Sequence, residues 1–251
     1  MVAAYDELWP GHSLEFLVPY QSDNRSRSHV RRSRLTFVRT GDSFQDTMLG
    51  LLKGMEQEDW VYFCIDDKFP TRLNVPVMSQ VMQSVSERHD ELDEVAGLAF
   101  TRARNAIRWP GISITRLECF GQQAYQRADL SNFWFHQLVR VKVLRAFFQS
   151  LPIVSAAKEM DGHLKTLNFG LRFMTTKKHN LSLAESTSRG RITSAALKSL
   201  NARGIAVESQ FLENGTVEIG PIQPQGIRDY LSVQLHDLVS SLVSPIRKPS
   251  T

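Results

Sequence analysis

The sequence predicts an α/β protein built on a mixed, mostly parallel sheet, and three observations carry that expectation. Apolar runs of strand length (LEFLV at 14–18, LTFVR at 35–39, WVYFCI at 60–65) are interspersed with a polar loop and, from Phe44 on, with stretches of helical periodicity. The chain has 251 residues, 42% of them hydrophobic and 22% charged, which suits a large folded core and not a disordered, collagen-like or coiled-coil chain. Two cysteines, Cys64 and Cys119, cannot form a disulfide framework that would substitute for such a core.

The elements follow in order. Leu14–Val18 and Leu35–Arg39 read as strands around a Ser- and Arg-rich loop at 21–34. Six arginines and no acid lie between Arg25 and Arg39, a run that either grips phosphate or forms a solvated loop. Phe44, Met48, Leu51, Leu52 and Met55 then recur at helical spacing behind a Ser or Asp cap. Trp60–Ile65 has the continuous apolar pattern of a central strand covered on both faces, and it ends in Asp66-Asp67-Lys68. Strand, helix and apolar strand in that order predict a βαβ unit, whose ligands bind outside the carboxyl ends of the strands. The two aspartates fall at that place.

A helix is expected over 75–94, with Val77, Val81, Met82 and Val85 on one stripe and an acidic far end. Strands at 95–100 and 112–117 flank a connection carrying Arg102, Arg104 and Arg108. Phe133–Phe148 is the strongest periodic helix, with Trp134, Leu138, Val141, Leu144 and Phe148 on its apolar face, and Pro152 stops it. Residues 155–169 read as a loop or short helix bearing Glu159 and Asp161. A helix at 193–202 closes at Gly204, and Asn214-Gly215 marks a hairpin between 205–212 and 216–219. An amphipathic helix at 226–243 and a polar tail complete the chain.

Charge and missing motifs narrow the function classes. With 30 Lys+Arg against 26 Asp+Glu the net charge is +4, compatible with an anionic partner without requiring one. No segment approaches the roughly 18 to 20 apolar residues of a membrane span, and the start lacks a signal peptide's basic and apolar regions, so a cytoplasmic location is expected. The sequence contains no G-x-x-x-x-G-K-[ST], G-x-G-x-x-G or G-x-S-x-G, against a P-loop kinase, a simple Rossmann dehydrogenase and an α/β-hydrolase. The seven histidines form no H-x-x-x-H or Cys/His cluster, which sets structural zinc aside.

Adjacent carboxylates at a strand end repel unless a cation or hydrogen-bond donors neutralise them. Mg²⁺ or Mn²⁺, a hard ion commonly shared between carboxylates and a nucleotide's phosphates, is the simplest neutraliser of Asp66 and Asp67. The alternative is that one of the pair caps the following segment while the other faces solvent.

The segment WVYFCIDDKFP, with SFQDTMLGLLKG before it, resembles the Asp-x-Asp region of glycosyltransferases with the GT-A fold. YDELWPGH near the start, Phe133-Trp134, and ESTSRGRIT from Glu185 extend that resemblance, in the same order, to bacterial polysaccharide and lipopolysaccharide enzymes of this type. It implies a GT-A-like, Rossmann-related mixed sheet flanked by helices, with the C-terminal hairpin and helix appended. One domain over 1–251 is expected, residues 1–130 forming the nucleotide-sugar-binding half and 131–251 the acceptor-side half. The implied activity is hexosyltransferase-like: metal-dependent transfer of a sugar from a nucleotide diphosphate donor to a glycan or lipid-linked acceptor, with inversion.

Under that resemblance Asp66 and Asp67 hold Mn²⁺ or Mg²⁺, and Lys68, Arg189 and Arg191 join them on the donor diphosphate. Asp161 or Glu159 is the base, and Trp134, His136, Gln137 and Glu185 lie on the acceptor side. The motif here is D-D-K and not a strict D-x-D, which leaves open which aspartate touches the metal, and only Met1–Ala4 precede Tyr5 where the family has a strand, so the nucleotide-base pocket is expected to be incomplete or built differently. No nucleic-acid partner is expected, and the inner face of the membrane is a candidate contact. Two rivals stand beside this reading: an inactive GT-A-like protein that binds a nucleotide or glycan, and a nucleic-acid-binding protein using the Arg25–Arg39 loop.

Overall fold

The structure is a computed structural model that describes residues 1–21, 34–65, 68–87, 92–100, 114–117, 122–127, 133–152, 157–176, 178–185, 187–188, 191–202, 204, 207, 212–213 and 215–218. These residues form a mixed α/β architecture. Helix α1 (Val2–Leu8) leads to β1 (Phe16–Tyr20), which pairs in parallel with β2 (Leu35–Arg39) as a separate two-stranded sheet. Helix α2 (Phe44–Leu51) starts at Ser43, whose hydroxyl accepts the Asp46 N–H at 2.9 Å. Strand β3 (Trp60–Phe63) follows, then β4 (Lys68–Leu73), α3 (Val75–Ser86), β5 (Val95–Ala99), β6 (Ile114–Leu117) and β7 (Gln122–Gln126). Strand β8 (Gln137–Arg140) runs directly into α4 (Val141–Ser150), and α5 (Ala157–Leu164) precedes β9 (Arg172–Thr176) and β10 (Leu181–Glu185). Strands β11 (Thr187–Ser188) and β12 (Arg191–Thr193), helix α6 (Ser194–Asn201) and β13 (Thr216–Val217) close the described chain.

Among the described residues the largest sheet has six strands in the order β3-β8-β5-β9-β7-β6. Only β5 and β9 pair in parallel, so this sheet is mixed and mostly antiparallel, a correction to the expected parallel bias. One face packs Phe63, Val139 and Phe173 against Leu52 behind α2, Leu144 and Phe148 of α4, and Leu164 of α5. The other packs Leu98, Leu138 and Met174 against Met78 and Val81 of α3 and Trp9 behind α1. The sheet is thus covered by helices on both sides, the layering of an α/β protein. Gly97, in the middle of β5, lets the layers close: a Cβ there would stand 3.1 Å from the Leu138 carbonyl and from the Phe173 ring.

Several expected elements are corrected. The helix expected over 133–148 begins only at Val141; residues 137–140 are a strand wedged between β3 and β5. Its apolar positions satisfy either periodicity over so short a stretch, and pairing to two neighbours decides for the strand. Strand β3 is covered on both faces, yet among the described residues it lies at the sheet edge and not in the centre, with β8 as its strand partner. The expected βαβ unit fails because β2 belongs to a different sheet from β3. Helix α3 ends at Ser86, short of 94.

The Asn214-Gly215 hairpin is also corrected. Gly215 has the expected positive φ of 70°, but Leu212–Glu213 is helical and β13 pairs in parallel with β12. Strand β12, α6 and β13 therefore make a small βαβ unit, and of the expected hairpin 205–206, 208–211, 214 and 219 lie outside the described residues. The 22–33 part of the basic loop, Arg102, Arg104, Arg108, Cys119 and the 226–243 helix lie outside the described residues.

Candidate functional site

Strands β3, β5 and β9 point the same way, so their carboxyl ends share one edge of the sheet with the start of β8. Cys64 and Ile65 leave β3 at that edge, and Lys68 opens β4, whose backbone pairs Lys68 with Glu185. Asp66, Asp67 and Arg189 lie outside the described residues. Arg191 is exposed in β12 and donates from its guanidinium to the Thr216 carbonyl at 2.6 Å.

Behind this edge sits a chain of buried polar groups. His136 is fully buried, not on a helix as expected but just before β8. Its Nε2 is 3.0 Å from the Ile65 carbonyl, which can only accept, so Nε2 carries the proton. Burial pushes the imidazole pKa down to about 4, against opposing hydrogen bonds to the Ile65 and Lys68 backbone, so the ring is neutral near pH 7. Nδ1 is then bare and accepts the Tyr5 hydroxyl at 2.7 Å. Tyr5 Oη in turn lies 2.9 Å from Tyr62 Oη, which donates to it. The Cys64 thiol borders Tyr5, and burial raises it to about 12. Both tyrosines are held well above their ordinary value, chiefly by burial. This is a neutral, directional relay from Tyr62 through Tyr5 and His136 to the backbone at Ile65.

A second cluster lies on the α4/α5 face. The Trp134 ring packs against Phe63 at 6.3 Å, Phe44 at 6.0 Å and Phe147 at 6.1 Å. Among the described residues Trp134 Nε1 and Asp161 Oδ1 are both buried without a well-formed hydrogen bond. The Asp161 carboxyl, on α5, is raised by burial, and the Trp134 indole, Lys165 and Arg127 oppose the rise. Gln137 is fully buried; its Oε1 accepts from Arg127 at 3.3 Å and its Nε2 donates to the Phe133 carbonyl at 2.7 Å. Arg127 also stacks over Phe135 at 5.2 Å. Glu159 sits exposed in the first turn of α5.

The predicted residues thus divide. Trp134 and Asp161 come together, and the chain before Asp66 reaches them through Phe63. His136 and Gln137 spend their polar atoms inside the fold. Sequence reasoning missed Tyr62 and Arg127 as site residues and gave Tyr5 no role beyond its place in the YDELWPGH stretch. Nothing local marks Arg127, since Gln137 reaches it from β8, Phe135 from just before β8 and Asp161 from α5.

Compared with known proteins, the chain matches no protein-family model, and no curated protein is significantly similar to it. Among the described residues no group of three or more His, Cys, Asp or Glu is placed to hold a metal ion, and no helix is long and apolar enough to cross a membrane.

Proposed function

We propose that the protein is a cytoplasmic, metal-dependent glycosyltransferase of GT-A type that moves a sugar from a nucleotide diphosphate donor to a glycan or lipid-linked acceptor, with inversion. The observation that carries this reading is the meeting, through Trp134, of a half-buried carboxyl with the strand that leads into Asp66 and Asp67. Two adjacent carboxylates are a hard oxygen donor set that suits Mg²⁺ or Mn²⁺, and the chain on either side of them is tied down at Ile65 and Lys68. Such an ion, when bound, supplies positive charge against the diphosphate. Lys68, Arg189 and Arg191 add charge-assisted donors for the same group.

Asp161 acts as base. Burial that disfavours its charged form raises its proton affinity, as a base requires, while Trp134 and Arg127 keep it ionised enough to accept a proton. Asp161 takes the proton of an acceptor hydroxyl as that oxygen forms its bond to the anomeric carbon. The bond from that carbon to the diphosphate oxygen breaks, and its electron pair leaves with the nucleotide.

The test pairs binding with turnover. UDP, GDP, dTDP and CDP are each added with and without Mn²⁺, and the melting temperature is read, since a ligand selective for the folded state raises it. One nucleotide should stabilise only with the metal. Asp161→Asn should retain that stabilisation and lose transfer by about a hundredfold or more, the scale of a general base. No stabilisation by any pair would overturn the reading and favour an inactive fold.

A further inference from the structure

We propose that His136 is a positioning residue for the acidic motif, its imidazole pinning the backbone on both sides of Asp66 and Asp67 while Tyr5 and Tyr62 set its orientation from behind. The inference rests on the glycosyltransferase reading. Three observations carry it. The Ile65 carbonyl, immediately before the motif, takes the Nε2 proton at 3.0 Å, and the Lys68 N–H, immediately after it, points to the same carbonyl at 3.5 Å. The ring has no exposed surface, so it cannot touch a substrate and acts only through what it holds. Its second nitrogen is fixed by Tyr5 of α1, itself fully buried and stacked on the imidazole at 5.9 Å, so an N-terminal helix is recruited to orient one ring. Partners of this kind behind a metal-ligand motif fix the ligands' direction, and their loss typically weakens the metal.

The two amide replacements separate positioning from packing. In His136→Gln the amide reaches the place of Nε2 and keeps a donor for Ile65. In His136→Asn it reaches only the place of Nδ1, keeping an acceptor for Tyr5 and losing that donor. The wild type is first titrated with UDP, GDP, dTDP and CDP in Mn²⁺. With the nucleotide that binds, His136→Asn should lose about tenfold or more in Mn²⁺-dependent affinity while His136→Gln stays within about threefold. Tyr5→Phe, which keeps both ring nitrogens but frees the tautomer, should fall between them and serves if His136→Asn does not fold. A purely structural histidine would shift the melting temperature of both amide variants and leave their nucleotide affinities alike. Equal affinities in His136→Asn, Tyr5→Phe and the wild type would overturn the proposal and leave the transferase reading standing. A wild type that binds none of the four diphosphates with Mn²⁺ would overturn both.

Discussion

Acidification from about pH 7.5 to about pH 5 should remove about 2 kcal/mol of folding stability through His136 alone. Its ring titrates near 4 in the folded protein, because burial opposes the charged form more than the Ile65 and Lys68 backbone favours it, against 6.5 for an ordinary histidine. The folded value lies below the unfolded one, so the unfolded chain takes up the proton first. The contribution is therefore whole above about pH 6.5 and drains away as the pH falls towards about 4. At about pH 5 the linkage relation compares roughly a thirtyfold excess of protonated over neutral imidazole in the unfolded chain with roughly a tenth in the folded one, which gives the stated loss. Other groups titrate in the same window. His179, lowered by burial and by Arg72, adds in the same sense, and Asp161, raised by burial, acts in the opposite one. Subtracting a non-titrating variant cancels them. Guanidinium unfolding of the wild type and His136→Gln at both pH values is the assay, and the wild type should lose about 2 kcal/mol more than the variant. Losses equal within about 0.5 kcal/mol would refute a buried neutral imidazole.

Three further outcomes follow from the fold. Gly97→Ala should destabilise by about 1–3 kcal/mol in denaturant unfolding, since its Cβ would meet the Leu138 carbonyl at 3.1 Å in a packed strand with little room to shift. Arg140 is buried, donates to the Val95 and Leu92 carbonyls at 2.9 and 2.6 Å and to Glu58 at 2.8 Å, and lies over Trp60 at 4.8 Å. Arg140→Met keeps much of the packing but strands two carbonyls, and should lower the unfolding free energy by about 2–4 kcal/mol. Thr193 caps α6 by accepting the Ala196 N–H at 3.1 Å, and Thr193→Ala should cost about 1 kcal/mol in the same assay.

Elements set by local chemistry were legible in the sequence. The Ser43 cap, the helix from Phe44 as far as Leu51 and the all-apolar Val95–Ala99 strand form as their residues dictate, although the stripe's last positions, Leu52 and Met55, fall past the helix end. What escaped was lateral placement. The Trp60–Phe63 pattern reports cover on two faces, which helices supply as well at an edge as in the centre, so it could not tell which strand lies beside it. Phe133–Arg140 read as helix because its aromatic and branched positions fit both periods over eight residues, until β3 and β5 claim the hydrogen bonds of its second half, Gln137–Arg140. At the site, Trp134 and Asp161 were legible singly as candidate residues. The Tyr62–Tyr5–His136 relay was not, since it joins α1 to β3 and to the start of β8, and no spacing along the chain encodes such a contact.

The place of β5 bears on how the chain is made. Both of its neighbours, β8 and β9, come from the second half of the sequence, so during synthesis this wholly apolar strand emerges with two bare edges and waits for its partners. Such long-range closure slows folding and exposes a template for wrong pairing in the meantime. A fragment ending near residue 130 would make that interval permanent: it would keep β5, lose both strands that flank it, and precipitate where the full chain folds.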